Sequence, residues 1–455
     1  MVWLIKMINR KTLTSENLNR KTCRLHKQLL SLVIGCFAIA PLAACQSLGS
    51  TPPVTPDDPL VEEPEGLKVG AILPYTGELA SVGQPMIETL PLLIDQVNAC
   101  GGVNDHSVSL VVEDDQSRSE VAASAMTKLI SVEKVNVVAI GFVDSDARQA
   151  LDIAVQNKIP IVSPATTSPV FSERAANGEF EGYWARTVPS DMYQARALAK
   201  LAIKRRYRRV SIVVANTDDG ISFEQAFIEA FEALGGTVLN KDYPTRYPPE
   251  ASSLTFEAFE AFSPYAGEPD AVVAALDDQG GALLLTAAYE AGLSQGTPVL
   301  IAGNIQPQSL LEEINKFYDG KEVLKGAFGA VPRASGPALD NFIELWKERL
   351  GETPGAYVAH TWDAVALLML AAQAASSNDG ALIKEQLAMV ANPPGVEVTN
   401  ICTGLKLLKS GQDIDYQGAG SNLNLDEHGD VVGNYDVWTV NDEGEIKVLE
   451  QITLD

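Results

Sequence analysis

Histidine and cysteine are scarce in this chain, four and five among 455 residues. His26, His106, His360 and His428 stand far apart, with no H-E-x-x-H and no C-x-x-C, so nothing has the spacing of a metal site. A phosphate-cradling G-x-x-x-x-G-K-[ST] loop is missing, no G-x-G-x-x-G follows the first strand-like run, and no G-x-S-x-G is present. Ser131-Val132-Glu133-Lys134 fits S-x-x-K, but it closes an amphipathic stretch without companion motifs and reads as a solvated helix end. An enzyme would have no catalytic set here, and neither cofactor nor metal is expected. Positive charge is short as well: 34 Lys and Arg against 59 Asp and Glu give a formal charge of −25. The acids are dispersed rather than blocked, which argues against electrostatic binding of nucleic-acid phosphates or of an anionic lipid surface. Beyond the N-terminal region, no apolar run is long enough to span a bilayer. The most apolar stretch, containing "LLMLAA", is bracketed by Asp363 and Gln373 and reads as a core helix.

The N-terminus is different. Lys6, Arg10, Lys11, Arg20, Lys21, Arg24 and Lys27 face a single Glu16, and a mostly apolar run from Leu29 to Ala40 follows. Basic region, short apolar region and small residues before a cut site predict a secretory signal over residues 1–44, with Met7 as an alternative start. Leu42-Ala43-Ala44-Cys45 resembles a bacterial lipobox, in which the cysteine carries lipid and becomes the first mature residue. The other reading is an ordinary small-residue cleavage site beside an incidental cysteine; position directly behind a full signal favours lipidation of Cys45. Residues 45–66 then form a tether. Pro52, Pro53, Pro56, Pro59 and Pro64 among Ser, Thr, Asp and Glu leave almost nothing to bury and favour an extended spacer. The protein is expected to be exported, in the periplasm or at the cell surface, and held to a membrane through Cys45.

With the signal and the anchor accounted for, Cys100 and Cys402 remain. In an oxidising compartment they predict either one disulfide or two buried thiols, and sequence separation alone does not choose.

From Leu67 onward, short apolar runs alternate with helix-length amphipathic segments: "LKVGAILP", "SVSLVVEDD", "VNVVAIGF" and "IPIVSPAT" as strands with helices between them. The pattern restarts after "WARTVPSD" with "RRVSIVVAN", "TVLNKDYP", "DAVVAALD", "TPVLIAGN" and "LKGAFGAVP". This is an α/β chain with two parallel sheets, each covered by helices on both faces. A mainly helical section follows, closed by the β-like "GNYDVWTVNDEGEIKVLEQI".

The segments "KVGAILPYTGELASVG", "NACGGVN", "VEDDQS", "IPIVSPATTSP", "RTVPSD", "EAGL" and "LDEHGDVVGNYDVW" occur in an order and spacing that resembles the type I periplasmic binding proteins of the leucine/isoleucine/valine-binding family. The resemblance covers the whole globular part. It implies two doubly wound lobes joined by three crossovers, near residues 187–191, 330–335 and 433–438, with a ligand cleft between them. Lobe 1 would comprise 67–188 plus 333–436, and lobe 2 189–332 plus 437–455. Cys100 and Cys402 would share lobe 1, which favours their pairing. It further implies that Ser145, Ala165, Thr166 and Thr167 hold the carboxylate of a small polar ligand such as an amino acid, with hydroxyls open to the cleft. A plain N-cap at Ser145 and turn chemistry at the two threonines are the competing readings. The chain departs from the family where the ligand ammonium is met. Gly303-Asn304-Ile305-Gln306 stands where a glutamate is usual, and Asp219 and Asp277 stand where tyrosines are usual. Asp277 is one candidate for the ammonium contact; equally, Asp219 and Asp277 would suit a different ligand altogether. The implied partner is an ABC permease, and the implied function a membrane-anchored solute-binding lipoprotein that works by hinge closure. A sensory or regulatory protein on the same fold is the alternative.

Overall fold

The computed structural model describes residues 66–454, apart from residues 78, 142–147 and 304–306 and the side chain of residue 278. The signal, Cys45 and the tether, together with Ser145 and the 304–306 segment, lie outside the described residues.

Five strands build the first sheet: β1 (Lys68–Leu73), β2 (Ser109–Asp114), β3 (Val137–Ile140), β4 (Ile161–Ser163) and β5 (Trp184–Arg186). Their spatial order is β2-β1-β3-β4-β5, parallel throughout. Period-two alternation explains why these short runs are apolar on both faces. Val69, Ala71, Leu73, Val137 and Ala139 join one core cluster, whereas Ile72, Val138 and Ile140 join the cluster on the opposite face.

The second sheet repeats the plan with β6 (Arg209–Ala215), β7 (Thr237–Val238), β8 (Thr245–Tyr247), β9 (Ala271–Ala275), β10 (Val299–Ala302) and β11 (Phe328–Arg333). Here Val210, Ile212, Val214 and Val273 face one core, and Val213, Val272 and Ala274 the other. The chain then returns to the first lobe. A two-stranded sheet, β12 (Val396–Val398) with β13 (Ile414–Tyr416), sits there, and the buried helix Val358–Ala375 packs on the first sheet. Against the expectation that this stretch is too short, the helix is long and apolar enough by length and composition to cross a membrane; because 89% of it is buried in the protein, it remains a core helix. Finally β14 (Asn434–Val440) and β15 (Ile446–Ile452) form a hairpin that joins the second sheet, β14 antiparallel to β11. Residue Arg333 still belongs to β11 and Asn434 already belongs to β14, so both strands overrun the limits drawn from sequence at 332 and 437.

Each sheet reverses its winding beside its first strand, between β1 and β3 and between β6 and β9. In doubly wound sheets, ligands bind at the carboxyl ends of the strands beside such a reversal. The sequence pattern overran one strand and passed over β5, β8 and the β12–β13 pair. "TVLNKDYP" supplies only the two-residue β7 followed by turns, and "WAR", read as a break, is β5.

Cys100 and Cys402 are joined as a disulfide, linking the end of helix Ala80–Ala99 to helix Ile401–Lys409 in the first lobe. Beside it lies an open groove of about 800 Å³, lined in part by Leu92, Phe342, Leu345 and Trp362.

Candidate functional site

The loop after β4 reads Pro164-Ala165-Thr166-Thr167-Ser168 and ends as the N-cap of helix Pro169–Ala176. Its fold is local chemistry: the Ser163 hydroxyl accepts from Thr166 N at 3.0 Å and Ala165 N at 3.4 Å, while the Ser168 hydroxyl accepts from Val170 N at 3.3 Å. Ala165, Thr166 and Thr167 are all buried.

Facing this loop are two carboxylates. Asp191 opens helix Asp191–Lys204, capped by Ser190, and Asp219 lies in the first turn of helix Asp218–Ala233, capped by Thr217. Thr167 Oγ1 donates to Asp191 Oδ2 at 3.0 Å, Asp191 N donates to Thr167 O at 2.8 Å, and the Ser168 hydroxyl donates to Asp219 Oδ1. Thr167 therefore does not present a hydrated hydroxyl to an open cleft. Its oxygen is engaged by Asp191, where the first crossover enters its helix. Two further contacts close the same edge: Arg148 pairs with Asp218, and Ser222 Oγ donates to Glu173 Oε1 at 2.9 Å.

Asp277 is occupied differently. At the end of β9 it caps helix Asp278–Glu290, accepting from Gly280 N at 2.6 Å through Oδ1 and from Tyr247 Oη at 3.0 Å through Oδ2. Burial and the Asp277 charge push the Tyr247 hydroxyl well above its usual range, so it remains a donor. Of the residues singled out from sequence, the fold thus gathers Ala165, Thr166 and Thr167 opposite Asp219, with Asp277 at the end of a strand adjacent to β6.

Asp191, Ser168 and Arg186 were missed, although "SPATTSP" and "RTVPSD" contain all three. The available signal was a lone arginine closing a buried strand, which must find a carboxylate or carbonyls. Arg186 is completely buried on β5. It donates from Nε to Asp430 Oδ1 at 2.6 Å, from Nη1 to the carbonyls of Thr166 and Ser168 at 3.0 Å each, and from Nη2 to Ser172 Oγ at 2.6 Å.

Burial pushes the Asp191 carboxyl up to about 7, with the Asp219 charge adding to it and the Thr167 hydrogen bond opposing it. A raised folded value means that the folded state holds this proton over a window in which the unfolded chain has lost it. Its contribution is therefore present in acid and fades as pH rises from the ordinary carboxylate range through about 7. Asp191→Asn, which imitates the protonated form, is expected to be more stable than the parent at pH 8. The gap should shrink steadily towards pH 4, as read from urea melts at several pH values.

A family model described as "Receptor family ligand binding region" matches residues 88–443. The chain belongs to this family, as a type I periplasmic binding protein. Curated relatives include the "Leu/Ile/Val-binding protein homolog 7" of Brucella abortus (strain 2308), 23% identical over 338 residues that cover 71% of this chain and 81% of the relative. Another is the "Chemotactic signal transduction system substrate-binding protein BasB" of Halobacterium salinarum, 25% identical over 399 residues, or 83% and 87% of the two chains. Among solved structures, the leucine-binding protein LivK of Thermotoga maritima superposes with a TM-score of 0.65 at 26% identity, covering 85% of this chain and 99% of that one.

Proposed function

We propose that this protein is the solute-binding component of an ABC-type importer, a binder rather than an enzyme, which closes on a small polar solute of amino-acid type. The observation that carries the reading is the meeting of the 165–168 loop of one lobe with Asp191 and Asp219 of the other, at the carboxyl ends of the strands. A zwitterion matches that arrangement. The Thr167 hydroxyl, which the solute would take over from Asp191, receives the carboxylate beside Ala165 and Thr166, joined by Ser145. Asp219, released from the Ser168 hydroxyl, receives the ammonium, with Asp277 as a second carboxylate further along the second sheet. Binding draws the lobes together about the three crossovers, and the permease reads the closed form. Lipid on Cys45 keeps the binder at the membrane; a mature N-terminal Cys45 without acyl chains by mass spectrometry would contradict the anchor.

A thermal-shift screen against L-amino acids and related carboxylates tests the reading. A true solute at one hundred times its Kd adds about 2.7 kcal/mol of stability. A screen in which no amino acid moves the transition overturns it. The likeness to BasB favours a second reading, in which the closed form signals to a membrane receptor instead of feeding a permease; loss of taxis rather than uptake in a deletion strain distinguishes the two.

A further inference from the structure

We infer that Arg186 is the positioning residue of the cleft: its guanidinium sets the conformation of the 165–168 loop and ties that loop to the segment entering the third crossover. The inference rests on the solute reading above only for its consequence, not for its geometry. Nη1 takes the carbonyls of Thr166 and Ser168 together, so two peptide planes of the loop are turned toward one buried cation. In a trans peptide the N–H points opposite to the C=O, so drawing Thr166 O inward directs Thr167 N–H away from Arg186. The other two nitrogens fix the fork itself. Nε meets Asp430, Nη2 meets Ser172, and Ser172 in turn donates to the second Asp430 oxygen at 2.6 Å. Asp430 stands four residues before β14, beyond a turn in which Gly429 O accepts from Arg186 N at 2.9 Å. One planar cation thus spans the loop, the helix behind it and the third crossover. A lysine, with three donors at a single point, has no such reach.

A plain structural ion pair and a positioning device differ in one respect. Removing both charges of a buried pair restores much of the stability lost by removing one, because no uncompensated charge remains. It does not restore hydrogen bonds to loop carbonyls. The test compares the parent with Arg186→Met/Asp430→Asn and with Arg186→Lys, by backbone amide exchange and by titration with L-leucine. Expected are exchange at residues 165–168 at least tenfold faster in both variants, unchanged exchange in β1 and β9, and L-leucine affinity reduced at least tenfold. Loop exchange equal to the parent's in a folded variant, or full recovery in Arg186→Lys, overturns the inference. Because exchange is read without solute, faster loop exchange in a protein that never binds L-leucine upholds the positioning role and counts against the solute reading instead. Should the double variant not fold, Arg186→Lys alone decides.

Discussion

Asp363→Ala is expected to destabilise the protein by about 3–5 kcal/mol at pH 7, on the scale of breaking a buried, multiply bonded carboxylate. Asp363 is fully buried in helix Val358–Ala375 and accepts from Ala419 N at 2.8 Å and Gly420 N at 2.6 Å, with Tyr416 also bonded to it. Alanine would strand two buried amides and a hydroxyl at once. The loop so held carries the second crossover on its carbonyls: Ser335 N donates to Gly420 O at 2.9 Å, Gly336 N to Ala419 O at 3.0 Å and Ala338 N to Gly418 O at 2.9 Å. One turn earlier on the same helix, Thr187 Oγ1 of the first crossover donates to His360 O at 2.8 Å, and His360 Nδ1 lies 2.9 Å from Thr187 O. Burial holds His360 down to about 4 and Asp363 up to about 7, so both are disposed to be neutral where the crossovers leave the lobe. Asp363→Asn keeps one acceptor and should cost about half as much. Urea unfolding measures both, and a loss below about 1 kcal/mol for the alanine variant would remove Asp363 from the hinge account.

Opening the Cys100–Cys402 disulfide is the second large effect. The bridge closes a loop across a sequence separation of 302 residues. Chain-entropy reasoning makes long loops the most stabilising and sets the expected loss at about 2–5 kcal/mol, native disulfides seldom reaching the theoretical limit. Cys100→Ser/Cys402→Ser should therefore melt at distinctly lower temperature than the parent. Reduction of the parent with dithiothreitol should bring the two together. Equal melting of oxidised parent and double variant would show that the core around helix Ile401–Lys409 holds without the bridge.

The legibility of this molecule in its sequence was uneven, for physical reasons. Buried parallel strands such as "KVGAIL" and "AVVAA" must be apolar on both faces, so they stand out as short continuous runs between helices. The same rule fails at β5, whose three residues include an arginine; only the surrounding carbonyls and Asp430 explain how it is buried. The family resemblance pointed to Thr166 and Thr167 after β4 and passed over Ser168, which caps the following helix; the partners of Thr167 and Ser168 come from segments 24 and 51 residues further on. Local chemistry is written in local sequence, whereas the pairing of Thr167 with Asp191 is made by the tertiary fold. Asp277 shows the converse. A carboxylate in the right place by family pattern turns out to cap a helix and to hold Tyr247, so its side chain serves the second lobe first.

Calorimetric titration tests the central claim most directly. The solute that raises the melting temperature most would be titrated into the parent, Thr167→Ala and Asp219→Asn, with circular dichroism confirming that each is folded. Recognition by both lobes predicts at least tenfold weaker binding in each variant, since a lost hydrogen bond to a charged group costs about 1.5–3 kcal/mol. Identical affinity in all three proteins would contradict the claim and place the solute elsewhere on the molecule.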